Sequence, residues 1–133
     1  MHKALAEADR AGIWLLRGSS ALLLVFLILQ GVTAGAVLGG SNTAITLHSL
    51  GAYFVHATAL LAALSALWLW RRGHLLWPTV LGAVVLVLTF VQATLGDAEV
   101  MAAHVPVALL LVALTVTLLV HACQITTQRT RFR

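Results

Sequence analysis

The chain has 133 residues, of which 61% are apolar and only 9% are charged, far below the roughly 25% that soluble domains carry. No Asp, Glu, Lys or Arg occurs in residues 18–70, 73–96 or 100–128. This distribution excludes a soluble enzyme, a disulfide-stabilised scaffold and a disordered tail, and it predicts an integral membrane protein. The basic residues lie at the ends of the apolar runs, so the high pI does not indicate a nucleic-acid partner.

The charge-free runs predict four transmembrane helices. A membrane span needs about 20 apolar residues, so the first run accommodates two spans and the other two accommodate one each. We place the spans at 18–38, 46–70, 75–95 and 102–123. The short connections between them predict an all-α, antiparallel four-helix bundle in the membrane.

The flanking segments predict the orientation. Residues 1–17 mix charged residues with Ala and Leu and have no signal-peptide cleavage site, which favours an amphipathic helix on the membrane surface. All eight Lys and Arg residues lie in this segment, in the connection at 71–74 and in a basic cytoplasmic tail at 124–133. We therefore expect a multi-pass protein of the inner (plasma) membrane of a bacterium or archaeon, with both termini cytoplasmic. The four tryptophans fall on the same side: Trp14, Trp68, Trp70 and Trp77.

Two histidines are the main candidate ligands, because polar side chains inside a membrane bundle are functional candidates by default. His48 opens the second span and His104 opens the fourth, so both are expected at the outer side, on helices that face each other diagonally. Such a pair could bind one haem iron from both sides. Ala52 and Ala108 follow one turn later and would let a flat ring approach. The alternative is that the two histidines hydrogen-bond to each other or to loop carbonyls.

Three further polar residues are candidates for contact with the same cofactor. His56 lies eight residues after His48, about 12 Å deeper on the same helix face. It could donate to the ring, contact a proton or quinone, or tie two helices together. Gln30 and Gln92 lie near the ends of spans one and three, each followed by a turn and a helix that opens with a histidine. This order predicts a duplicated helical hairpin with both glutamines near the outer cavity, although interhelical hydrogen bonding would explain them equally.

Small residues recur at every fourth position near the end of the first span. Gly31, Gly35 and Gly39 form successive small-xxx-small steps, which are typical of close helix packing. They predict association with a neighbouring or partner helix.

Three short segments resemble a known family: residues 92–96 (QATLG), 103–108 (AHVPVA) and 47–51 (LHSLG). They look like one four-helix half-unit of the haem A synthases, in which the second and fourth helices each open with a haem-ligating histidine. The resemblance covers about residues 20–122 and extends to small four-helix bacterial membrane proteins with the same Gln–His layout. It implies that His48 and His104 are the haem ligands.

The chain departs from the catalytic half of these synthases. There a glutamate precedes the helix-two histidine and an arginine follows it, whereas Leu47 and Ser49 flank His48 here, and no carboxylate lies inside a predicted span. The resemblance therefore implies haem binding more than catalysis, and no catalytic residue is predicted.

The sequence favours a membrane-embedded b-type haem protein with one haem b and bis-histidine ligation. It would act in electron transfer, with a quinone or a larger respiratory or photosynthetic complex as partner, or as a haem-carrying subunit of such a complex; we do not expect a second haem. A haem-free accessory or assembly subunit and a half-size haem-modifying enzyme are the alternatives. The spacing does not separate haem from another planar cofactor.

Overall fold

A computed structural model describes the backbone of residues 2–131 and the side chains of residues 7–125. The described chain is all-helical, with α1 at His2–Leu38, α2 at Asn42–Arg71, α3 at Trp77–Asp97 and α4 at Met101–Arg131. Even the shortest helix, α3, has 21 residues. All four are therefore long and apolar enough, by length and composition, to cross a membrane.

Each helix packs against two neighbours in the order α1, α2, α3, α4 and back to α1. Among the described residues, no Cα of α1 comes within 8 Å of one in α3, and none of α2 within 8 Å of one in α4, so these two pairs lie on the diagonals. The most extensive interface joins α1 and α2. The diagonal relation of α2 and α4 agrees with the arrangement expected for the two histidine-bearing helices.

Contacts along the interfaces show which helix ends meet. Gly12, near the start of α1, lies against Leu69 near the end of α2, whereas Gln30, towards the end of α1, lies against Gly51 near the start of α2. We call the end that contains the turns at 39–41 and 98–100 the histidine end. The opposite end, with the connection at 72–76, is the tryptophan end.

The core consists of two clusters of buried side chains. One lies towards the tryptophan end and comprises Ile13, Leu16, Ala62, Ala66, Leu69, Leu118 and Ala122. The other draws on all four helices and comprises Leu23, Leu27, Val55, Ala59, Val85 and Leu111. Large apolar side chains also cover the outer faces, including Val32 and Leu109, which are 64% and 67% exposed. An apolar exterior of this extent fits a lipid environment better than water.

The N-terminal segment differs from the sequence-based expectation. Residues 1–17 were expected to form a separate surface helix, but α1 continues through residue 17 without a break. Ile13 and Leu16 are buried in the core, and the buried Asp9 pairs with Arg72. This ion pair and the absence of a side chain at Gly12 allow the segment to pack directly against the end of α2.

The other boundaries shift by a few residues. α2 begins at Asn42 rather than 46, after Ser41, whose hydroxyl accepts a hydrogen bond from the Ala44 amide at 3.3 Å as an N-cap. α4 continues through residues 124–131, which were expected to be a tail. Pro106 lies inside α4, beyond its first turn.

Candidate functional site

His48 and His104 face each other at the histidine end. Their ring centroids are 6.4 Å apart and their planes are tilted by 53°. Both residues are half-buried and lie in the first two turns of α2 and α4, respectively. Two diagonally placed helices therefore present imidazoles to each other across the bundle.

Thr33 holds the His48 ring. The Thr33 hydroxyl has three oxygen acceptors within reach, namely the carbonyls of Leu29 and Gln30, each at 3.1 Å, and Gln30 Oε1 at 3.4 Å. We assign the proton of the contact between His48 Nδ1 and Thr33 Oγ1, 2.9 Å apart, to the imidazole, because the hydroxyl has these oxygens as its own acceptors. The lone pair of His48 is therefore on Nε2.

The end of α3 holds the His104 ring in the same way. Nδ1 of His104 lies 3.0 Å from the Gln92 carbonyl oxygen, which can only accept, so Nδ1 carries the proton. Gly96 makes room for the ring, because a Cβ there would lie 2.9 Å from His104 Cε1. The lone pair of His104 is also on Nε2. A histidine whose Nδ1 donates to an oxygen has the tautomer and orientation of a metal ligand.

Gln30 and Gln92 lie on the other diagonal, on α1 and α3. The Gln30 carboxamide lies against Gly51, where an added Cβ would come within 2.7 Å of its Oε1. The side-chain oxygen of Gln92 is buried without a hydrogen-bond partner among the described residues. Two other buried hydroxyl oxygens, those of Ser20 and Thr115, are also without a partner among the described residues, but Gln92 is the one whose backbone carbonyl contacts His104.

The histidine end is packed more loosely than the rest of the bundle. In residues 28–54, 90–97 and 101–110, Ala44 alone is buried. The residues that face each other there are half-buried, and these include Ala52 and Ala108, one turn beyond the two histidines. The role of the two alanines beside a flat ring stays a prediction.

His56 lies apart from the His48–His104 pair, at the seam between α2 and α3. Its Nδ1 is 2.9 Å from the hydroxyl of Thr89, and its ring stacks on Phe90 with centroids 4.4 Å apart. The sequence left three roles open for His56. The contacts among the described residues support one of them, a hydrogen-bonded tie between α2 and α3.

Sequence reasoning did not single out Thr33 and Thr89 as histidine partners. Both threonines are set on neighbouring helices, 15 and 33 residues from the histidines that they contact. Their one distinguishing signal is their position beside a glutamine, since Thr33 follows Gln30 by three residues and Thr89 precedes Gln92 by three, about one helical turn.

The donor set at the histidine end consists of two imidazole nitrogens. The described residues contain no group of three or more His, Cys, Asp or Glu side chains that could hold a metal ion. The single cysteine, Cys123, is exposed on α4 towards the tryptophan end. Two imidazole donors alone would suit a metal ion whose other ligands come from a cofactor.

Comparison with known proteins gives no assignment: no protein-family model, curated protein or solved structure matches this chain.

Proposed function

We propose that the chain is a membrane-embedded b-type haem protein in which His48 and His104 are the two axial ligands of one haem. The observation that carries this proposal is the facing pair of imidazoles, with ring centroids 6.4 Å apart, each held at its Nδ1 by a neighbouring helix, so that Nε2 would be the binding atom. It would act in electron transfer or as the haem-carrying subunit of a membrane redox complex.

The residues present fit a haem. A metal ion that binds one nitrogen of each ring at about 2 Å holds the two ring centres roughly 6 Å apart, which agrees with the observed separation. Two protein ligands are too few for a structural zinc site, which takes four, but they complete a haem iron, whose other four ligands belong to the macrocycle. The unpaired Gln92 oxygen and the half-buried surroundings fit an additional group at this end.

Haem b with two imidazole ligands supplies one-electron redox chemistry with no open coordination position, which suits electron transfer rather than oxygen binding. The chain's own residues set the environment. Thr33 and the Gln92 carbonyl orient the ligand rings, and Gln30 and Gln92 place amides near the site. Ala52 and Ala108 leave room beside the histidines, and His56 lies deeper on α2.

The proposal includes an antiparallel arrangement in the membrane, with the histidine end outside and both termini in the cytoplasm. The distribution of Lys and Arg supports this orientation, and the contacts between the start of one helix and the end of the next support the direction of the helices. In both helix pairs, α1–α2 and α3–α4, the second helix opens with a histidine that is held by the last turns of the first. This parallel between the pairs supports a duplicated helical hairpin, as does the motif resemblance to the haem A synthase half-unit.

An absorption spectrum of the purified protein tests the proposal. Dithionite-reduced protein should show the Soret and α bands of a low-spin b-type haem, and these should be lost in the His48→Ala/His104→Ala double variant. His121→Ala is the matched control, because His121 is also half-buried on α4 but packs against Trp77 at the tryptophan end. Bands that persist in the double variant, or a wild-type protein that does not bind haem, would overturn the assignment.

One observation favours a second candidate, a haem-free accessory or assembly subunit. Gly31 and Gly35 have no atom of another described helix within 4 Å of the position that a Cβ would take. The small-residue steps at residues 31–39 therefore do not serve packing within the bundle and would suit a partner helix. Co-purification with a larger membrane complex, without bound haem, would support this candidate. A half-size haem-modifying enzyme would need polar groups that the site lacks.

A further inference from the structure

His56 carries a hydrogen-bonding group that the proposed haem site does not use. The Thr89 hydroxyl donates to the Leu86 carbonyl at 2.7 Å, so its one proton is engaged within α3. We therefore assign the proton of the contact with His56 to its Nδ1, 2.9 Å from that hydroxyl. This leaves Nε2 as an acceptor, and the structure gives it no partner among the described residues.

The surroundings of His56 are apolar and open to the exterior. His56 lies at the middle of α2 (Asn42–Arg71) and is half-buried. Phe90, which stacks on its ring, is 55% exposed. Tyr53 and Leu60, about one turn before and after His56 on the same helix, are 72% and 46% exposed. A ligand for this position reaches it from the side of the bundle rather than from an aqueous end.

These features define the chemistry of a ligand. It must dissolve in the hydrocarbon layer, donate a hydrogen bond, and present a flat or aromatic surface beside the stacked pair of His56 and Phe90. The polar headgroups of phospholipids lie outside the hydrocarbon core, so they do not meet the first condition at this depth. A hydroquinone meets all three.

We propose that His56 and Phe90 form a binding site for the ring of a membrane hydroquinone, with Nε2 of His56 accepting a hydrogen bond from a hydroquinone hydroxyl. Thr89 is a positioning residue, since it holds the tautomer that leaves Nε2 as the acceptor. The choice of a redox-active phenol rests on the proposed electron-transfer function, whereas binding itself depends only on the α2–α3 seam.

The position of the site suits such a partner. His56 lies about 12 Å along α2 from His48, and Thr89 lies about one turn from Gln92, whose carbonyl holds His104. One turn of α3 therefore supports both the hydroquinone acceptor and a proposed haem ligand. A hydroquinone bound at this site would be the electron donor of the proposed haem.

Binding of three matched probes in lipid nanodiscs tests the site. Duroquinol has two hydroxyl donors, duroquinone has only acceptors, and the dimethyl ether of duroquinol has none of the donors but nearly the same shape. Anaerobic titration calorimetry against protein-containing and empty nanodiscs gives the specific part of the binding. We expect duroquinol to bind the wild-type protein about tenfold more tightly than duroquinone or the dimethyl ether, because neither of these can donate a hydrogen bond to Nε2 of His56.

Variants locate the binding at His56. His56→Leu should weaken duroquinol binding about tenfold and abolish the preference over the ether. Thr89→Val should reduce the preference for duroquinol over its ether, because His56 Nδ1 loses its acceptor and the two tautomers mix. His56→Gln should retain part of the preference that His56→Leu loses, because the amide oxygen can accept a hydrogen bond. Thr58→Val is the matched control, because the Thr58 hydroxyl bonds only carbonyls of its own helix, those of Phe54 and Val55.

The outcomes separate this proposal from the haem proposal. The titrations are repeated on the His48→Ala/His104→Ala variant, in which duroquinol should bind as it does to the wild-type protein. If the wild-type protein proves to contain no haem, the expected binding of duroquinol is unchanged. Equal binding of the three probes, binding of none, or unchanged binding in His56→Leu would overturn the hydroquinone site. If His56→Leu does not fold, the comparison of duroquinol with its ether in the wild-type protein still decides.

Discussion

The ring centroids of His48 and His104 lie 6.4 Å apart although no Cα of α2 comes within 8 Å of one in α4. The two rings are held from behind by different helices, His48 by Thr33 on α1 and His104 by the Gln92 carbonyl on α3. All four helices therefore contribute to a pair of nitrogen acceptors that point away from their supports. This arrangement supports the proposal that one group binds both rings.

Removal of the Thr33 hydroxyl should weaken haem binding without removing either ligand. In Thr33→Val the His48 Nδ1 loses its acceptor, so the ring is free to rotate and change tautomer; we expect about a tenfold loss in haem affinity, as for other supports of metal-ligating histidines. Haem titration followed at the Soret band measures it. Thr94→Val is the control, because the Thr94 hydroxyl bonds only carbonyls of α3. Equal losses in the two variants would contradict the role given to Thr33.

A methyl group at Gly96 should displace the His104 ring. The added Cβ would lie 2.9 Å from Cε1 and 3.2 Å from Nδ1, closer than van der Waals contact, so the ring must move and its bond to the Gln92 carbonyl must lengthen. Gly96→Ala should therefore lose the low-spin spectrum or reduce haem occupancy to well below that of the wild-type protein. Gly35→Ala has open space at the same position and should keep the spectrum. A wild-type spectrum in Gly96→Ala would show that His104 is not held as described.

A side chain at Gly82 should strain the interface between α2 and α3. A Cβ there would lie 3.1 Å from the backbone Cα of Ala63, so the α2 backbone would have to shift by a few tenths of an ångström. We expect Gly82→Ala to reduce the free energy of unfolding by roughly 1 kcal/mol, since overpacking outweighs the gain in helix propensity. Gly18→Ala, with nothing near its Cβ, should leave stability unchanged or raise it by up to about 1 kcal/mol. Reversible unfolding in mixed detergent micelles measures both, and a stabilised Gly82→Ala would contradict this packing.

The Asp9–Arg72 pair should anchor the N-terminal part of α1. Asp9 is 9% exposed at its side chain and Arg72 is 24% exposed, so the pair is only partly screened by solvent. Asp9→Asn should cost roughly 2 kcal/mol of unfolding free energy, because the guanidinium loses a charged hydrogen-bond partner. Asp97→Asn, an exposed acid at the end of α3, should change stability little. If both variants unfold alike in detergent, the N-terminal part of α1 does not depend on this pair.

Some partners in the site could not be predicted from the sequence because threonine in a helix has two ways to satisfy its hydroxyl. Thr58, Thr94 and Thr117 bond carbonyls of their own helices, and Thr33 and Thr89 do the same while also meeting a histidine of the next helix. The one local difference is the spacing of three residues from Gln30 or Gln92, and this spacing does not by itself identify a histidine partner. The contact of the N-terminal part of α1 with the end of α2 could not be predicted for a related reason, since Asp9 pairs with Arg72, which lies 63 residues away.

What the sequence determined by itself is the set of four apolar helices and the presence of histidines at the openings of two of them. Both follow from local composition, because a charge inside an apolar run is costly wherever the helix packs. The tertiary structure alone decided which polar atoms meet: the facing rings of His48 and His104, the contacts of these rings with Thr33 and the Gln92 carbonyl, and the contact of His56 with Thr89. These depend on the register between helices, and a register is set by side-chain packing across interfaces such as Gly82 against Ala63, which no local pattern specifies.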